Sequence, residues 1–142
     1  MSAEIKLLTA DDAAVLEHLA DGVFDGPIDP RSTAEFLADP RHAICVALED
    51  GIVLGFASGV RYVHPDKPPE FWINEVGVSA ARRQRGLAKA ILAELLAFAK
   101  SEGCREAWVL TDEVNGPARA LYASAGGEES LGVVMVTFQL DD

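Results

Sequence analysis

Cysteine is scarce in this sequence. Cys45 and Cys104 are the two in 142 residues, far apart and each among apolar neighbours. That excludes a disulfide-stapled scaffold and reads as two buried thiols in a reducing compartment. His18, His42 and His64 share no metal-site spacing, so no metal is expected. Basic residues are also few: 12 Lys and Arg stand against 23 Asp and Glu, for a net charge of −11. Such a balance argues against the broad basic stripe of a nucleic-acid surface and leaves open an attraction for cationic small molecules. No apolar run approaches the roughly 18–20 residues that span a bilayer, so no membrane partner is expected. "MSAEIKLLTADD" has neither a basic leader nor an apolar signal core, which points to the cytoplasm. Two phosphate motifs are missing as well, G-x-x-x-x-G-K-[ST] and a G-x-G-x-x-G following a strand.

What the chain does contain is a regular alternation of short elements without linkers, repeats or biased tracts, read as one domain over 1–142. Strands are predicted at 4–9, 42–49, 52–63, 71–79, 105–111 and 133–140. The acidic-fronted segment 11–20 predicts a short helix, and Ser32 with Glu35 predicts a capping box opening a second one that runs to about Ala38. A longer helix follows residue 86, where Leu87, Ile91, Leu95 and Phe98 recur at helical spacing and Gly103 suits the C-terminal cap. Pro117 fits the first position of a last helix, stopped by Gly126 and Gly127. The prolines of "HPDKPPE" (64–70) exclude regular structure there. This order belongs to the mixed α/β or α+β class.

The charge distribution holds one anomaly. "ARRQRGLAKAIL" (80–91) gathers Arg82, Arg83, Arg85 and Lys89 at the junction of a strand and the long helix. Positive charge at a helix N-terminus opposes the helix dipole, so a purely structural purpose would cost stability. An anion seated on the free N–H groups of the first turn resolves the conflict. Gly86 lets backbone approach a phosphate closely, and Ala88 keeps the next turn slim.

Val78, Arg83, Arg85, Gly86 and Ala88 together spell V-x4-R-x-R-G-x-A between a strand and a helix. The pattern resembles the coenzyme A pyrophosphate loop of the GNAT N-acetyltransferase superfamily, and the resemblance covers almost the whole chain. It implies the acyl-CoA N-acyltransferase fold: a central, mostly antiparallel twisted sheet, a splay between the strands at 71–79 and 105–111, and about four helices. It also implies acetyl-CoA as co-substrate, with backbone from Arg83 through Gln84, Arg85, Gly86, Leu87 and Ala88 to Lys89 on the pyrophosphate. The segment "EVGV" would pair with the pantetheine arm, and the N–H of Val76 or Val78 would polarise the thioester carbonyl. Gly77 reads as a strand bulge or a point of close packing. "NGPARALY" (115–122) resembles the second family signature, with Asn115 bonding the cofactor arm and Tyr122 protonating the departing thiolate.

An amine acceptor is protonated at neutral pH, so transfer needs a base. Glu75, in "WINEVGV", is the first candidate, with apolar flanks that would desolvate it; Asp112 and Glu113 are second candidates for base or ammonium binding. Within the superfamily the chain looks most like the aminoglycoside 3-N-acetyltransferase branch, through "GVFD", "YVHPDKPPE", "NEVGVS" and "ARRQRG". That branch usually carries Asp at the position of Glu75. On this reading Phe24 and Asp25 line the acceptor side, and the partner is a small cationic amine. The expected reaction is acetyl transfer to a primary amine by direct attack in a ternary complex. A CoA-binding sensor without turnover and a protein or peptide N-acetyltransferase are the alternatives. The 64–70 loop and the last strand would suit a homodimer face.

Overall fold

Alternating side chains and one tight turn determine the sheet. The computed structural model describes residues 3–83 and 86–141. Its strands are β1 (Glu4–Leu7), β2 (His42–Glu49), β3 (Ile52–Tyr62), β4 (Glu70–Val78) and β5 (Glu106–Val109). Asp50 and Gly51 join β2 to β3 with φ values of 53° and 77°, the two-residue geometry that matches the twist of a hairpin. The sheet order is β1-β2-β3-β4-β5, antiparallel except for the parallel β4–β5 pair. That parallel step requires a crossover, supplied by a helix.

Helices cover both faces. Besides the 3-10 helices Ala10–Glu17 and Ala80–Arg82, they are α1 (Pro30–Ala38), α2 (Leu87–Ser101) and α3 (Gly116–Ser124). The apolar stripe of α2, Ile91, Leu92, Leu95 and Ala99, closes one face over Cys45, Ala57, Phe71 and Ile73. On the other face Leu8, Leu16 and Val23 pack on Ile44, Val46, Val53 and Phe56. Gly103, at φ 89°, lets the chain leave the end of α2. Both cysteines are free and buried. Burial pushes the Cys45 thiol up to about 12, with the charge of Glu94 adding to it, and raises Cys104 as well. Neither has the low-pKa, accessible setting of a nucleophilic thiol.

Three local expectations are corrected. Helix α1 begins at Pro30 rather than at a Ser32 box, because Asp29 caps it by accepting from the Ser32 N–H at 2.8 Å. The short helix expected at 11–20 spans Ala10–Glu17 and is of the 3-10 kind, opened by a box in which Thr9 N–H donates to Asp12 at 2.7 Å. The third correction is the largest: residues 133–140 form no strand. That stretch has no regular structure and faces solvent, with Phe138 78% and Leu140 94% exposed.

No helix among the described residues is long and apolar enough to cross a membrane. Among the same residues no cluster of His, Cys, Asp and Glu could hold a metal ion.

Candidate active site

The site starts with a failure of pairing. β4 and β5 run in register from Glu70↔Glu106 to Ile73↔Val109 and then part. On the other side of β4, Ser58 pairs with Glu75 but Gly59 pairs with Ile73, so Asn74 is the extra, bulged residue. The bulge sits where the strands separate, as bulges do when they end a ladder. From Asn74 to Val78, β4 therefore presents a main-chain edge that β5 does not cover. This is the splay expected between the two strands.

Gly77 is not the bulge. It is a point of close packing: a Cβ there would run into the Val23 carbonyl and lie 3.0 Å from the Phe56 ring. The 21–26 loop thus crosses the end of β4, and Phe24 stacks on Phe56 with ring centroids 4.0 Å apart. Gly77→Ala is expected to destabilise the fold by ~1–3 kcal/mol through overpacking, read as a lower denaturation midpoint with an unchanged slope. Asp25 is exposed on the same loop.

Alternation separates the functional candidates by face. Val76 pairs with Ala57 and packs, with Leu87 and Tyr122, against the core under α2. Glu75 points the other way, beside Ser58, and is exposed. Its apolar sequence neighbours therefore do not bury it. Register puts Trp72 and Trp108 side by side on the Glu75 face, their rings stacked at 5.6 Å and 17°. Trp108 Nε1–H donates to the Tyr62 hydroxyl at 2.9 Å, and that hydroxyl donates to Glu70 at 3.1 Å. His64 lies 3.1 Å from the other Glu70 oxygen. Burial, with help from Glu70, raises the Tyr62 phenol above its usual range. The sequence reading missed this acid-and-aromatic platform, since Trp72, Trp108, Tyr62 and Glu70 converge only through strand register.

Below the open edge, Gly86 forms the N-terminus of α2 with φ 75° and ψ 7°. It has no side chain to cap the helix, and the first helical bond runs from Ala90 N–H to the Gly86 carbonyl at 3.1 Å. The N–H groups of Leu87, Ala88 and Lys89 have no partner inside the helix. A Cβ at Gly86 would meet nothing within 4 Å, so positive φ, not crowding, demands glycine. Arg83 and Lys89 are exposed beside this turn, whereas Arg82 turns back to Glu49 at 3.3 Å. Gln84 and Arg85 lie outside the described residues.

At the far wall, Asn115 Oδ1 caps α3 by accepting from Ala118 N–H at 3.2 Å. Tyr122, half-buried, has its phenol pKa raised by desolvation, which keeps the hydroxyl protonated. Asp112 and Glu113 are exposed; their carbonyls accept from Asn115 N–H at 3.0 Å and Arg119 Nη1 at 2.8 Å.

The chain matches the Acetyltransferase (GNAT) family over residues 13–126. It belongs to that family. It is 31% identical over 128 residues to aminoglycoside N(6′)-acetyltransferase type 1 of Salmonella typhimurium, covering 87% of this chain and 78% of the relative. It is 34% identical over 124 residues to the N-alpha-acetyltransferase RimI of Mycobacterium tuberculosis, covering 86% and 76%. AAC(6′)-Iy, solved with the bisubstrate analog CoA-S-monomethyl-acetylneamine, shares the fold with a TM-score of 0.81 at 24% identity over 98% of this chain and 99% of that one. This GNAT protein is therefore an N-acetyltransferase near the aminoglycoside acetyltransferases. The aminoglycoside relatives named here carry the 6′ designation, where the sequence motifs suggested the 3-N branch.

Proposed function

We propose that this acetyltransferase uses acetyl-CoA to acetylate a primary amine of a small cationic acceptor, with aminoglycosides as the leading class. The observation that carries the reading is the open β4 edge at 74–78, flanked by the uncapped Gly86 turn and by Glu75 on the opposite face. The donor fits the residues present. A pyrophosphate is suited to the N–H groups of residues 87–89 and to the charges of Arg83 and Lys89, and we assign Gln84 and Arg85, adjacent in sequence, to the same group. The pantetheine amides are suited to the main chain of Val76 and Val78 and to the Nδ2 of Asn115.

Acetyl-CoA supplies an acyl group activated as a thioester. Glu75 accepts a proton from the acceptor ammonium, freeing the lone pair that attacks the acyl carbon. The N–H of Val76 or Val78 stabilises the negative charge that develops on the acyl oxygen. As the C–S bond breaks, the Tyr122 hydroxyl protonates the thiolate. The second proton lost from the nitrogen as the amide forms restores the phenol through solvent, and the proton held by Glu75 is released to water. The phenol, its pKa raised by burial, retains its proton until the sulfur takes it.

The acceptor side is supported by charge and by stacking. Glu70, Glu75 and Glu106 share one sheet face with Trp72 and Trp108, a combination that holds a cation by Coulomb attraction and by its approach to aromatic faces. Phe24 and Asp25 border it from the 21–26 loop, and Asp112 and Glu113 from the end of β5. The test is thiol release from acetyl-CoA against aminoglycosides, polyamines and a peptide with a free N-terminus. Turnover is expected on a polycationic amine. Turnover on the peptide alone would move the assignment toward the RimI-like activity, and acetyl-CoA binding with no turnover would leave a sensor.

A further inference from the structure

We propose that Glu49, the last residue of β2, is a positioning residue for acetyl-CoA: by holding Arg82 it fixes the course of the chain into the Gly86 turn. This rests on the acetyl-CoA reading of that turn. Arg82 belongs to the basic cluster before α2, yet its Nη1 donates to Glu49 Oε1 at 3.3 Å. Its neighbour Arg83 is exposed. A carboxylate brought toward a turn that receives a pyrophosphate opposes anion binding by Coulomb repulsion. Glu49 therefore needs a compensating purpose, and the geometry supplies one.

The connector from β4 to α2 is tied to the β2–β3 hairpin at its start. Ser79, buried, donates its N–H to the Leu54 carbonyl at 2.9 Å. Gly55 packs so closely on the end of β4 that a Cβ would lie 3.0 Å from Val78 Cγ2 and 3.1 Å from the Gly77 carbonyl. The 3-10 helix Ala80–Arg82 follows, with the Arg82 N–H bonded to the Ser79 carbonyl at 2.9 Å.

Glu49 ties the other end. It pairs with Ile52 across the tight turn at Asp50 and Gly51, so the hairpin holds its backbone in place. Arg82 ends the 3-10 helix, and its bond to Glu49 fastens that end to the hairpin which already holds Ser79. Tied at one end the connector can pivot; tied at both, it has one direction. Arg83 and the Gly86 turn come next, and ordering them before the cofactor arrives lowers the entropy lost on binding. With the Arg82 and Glu49 side chains 37% and 19% exposed, solvent screens the pair only in part.

The test depends on opposite signs. If Glu49 acted only as a charge, Glu49→Ala and Glu49→Gln would both tighten acetyl-CoA binding, because a negative charge near the pyrophosphate is gone. As a tie, Glu49→Ala is expected to weaken binding about two- to fivefold, the effect of losing one partly exposed ion pair. Glu49→Gln, whose amide oxygen still accepts from Arg82, is expected to fall between Glu49→Ala and the parent. Calorimetric titration of acetyl-CoA into the full chain reads the affinity, and thiol release reads KM and kcat. KM for acetyl-CoA is expected to rise with the loss of affinity, while kcat at saturation stays unchanged. In an Arg82→Gln background, Glu49→Ala is expected to weaken binding no further, since the tie is already broken. Binding by Glu49→Ala as tight as the parent's or tighter, or an equal loss in the Arg82→Gln background, would overturn this role for Glu49 and leave the acetyl-CoA reading standing. A parent chain that binds no acetyl-CoA would overturn both.

Discussion

Gly86→Glu is expected to weaken acetyl-CoA binding by ~100-fold or more, measured by calorimetric titration at a temperature where the variant is fully folded. Two costs combine. Gly86 sits at φ 75°, where a side chain costs roughly 1–2 kcal/mol. A carboxylate about 4 Å from a pyrophosphate charge adds about 1–4 kcal/mol, depending on how far water screens the pair. About 2.7 kcal/mol suffices for two decades of affinity. Gly86→Asn separates the terms, because asparagine tolerates the left-handed region and carries no charge. With nothing within 4 Å of its Cβ, asparagine is expected to stay within about tenfold of the parent. Equal losses for Glu and Asn would show that the turn matters through shape alone. Full affinity in Gly86→Glu would remove the pyrophosphate from this turn.

How much of this site was readable beforehand depended on whether the signal was local. The Gly86 turn was readable, because a tight turn into an amphipathic helix is encoded by adjacent residues. Helix α3 was too: Pro117 and Asn115 mark its start, and the double glycine its end. The bulge at Asn74 was not, since it exists only as a mismatch between Ser58 and Gly59 on one strand and Glu75 and Ile73 on the next. The pairing of Trp72 with Trp108 was hidden for the same reason, as the two stand 36 positions apart in the chain. Gly77 was understood as special, but the reason, the Val23 carbonyl lying over it, belongs to a loop more than fifty residues away. The segment 133–140 shows the converse. Its strand propensity is real, but propensity does not specify a partner, and within one copy none is in place.

Glu75→Gln is expected to lower kcat by about 10² to 10⁴, the usual contribution of a positioned base, with acetyl-CoA affinity unchanged. The isosteric amide keeps the size of the side chain and its place beside Ser58, so folding is not at issue. The pH dependence gives the sharper test. An acceptor amine with a pKa near 10 is protonated at neutral pH, and each unit of rising pH multiplies its free form by about ten. Without an internal base the variant depends on that free fraction, so its rate climbs about tenfold per pH unit until the amine has titrated. The parent takes the proton itself and climbs less steeply, so the two profiles converge as pH rises. Asp112→Asn provides the control: its side chain is exposed on the loop after β5, and its loss is expected to weaken acceptor binding while leaving the slope with pH unchanged. A Glu75→Gln enzyme that keeps full activity from about pH 6 to pH 9, a span in which the amine stays mostly protonated, would pass the role of base to another group. If Asp112→Asn then acquired the steep slope, the base would lie at the end of β5 and Glu75 would be one more negative charge on the acceptor face.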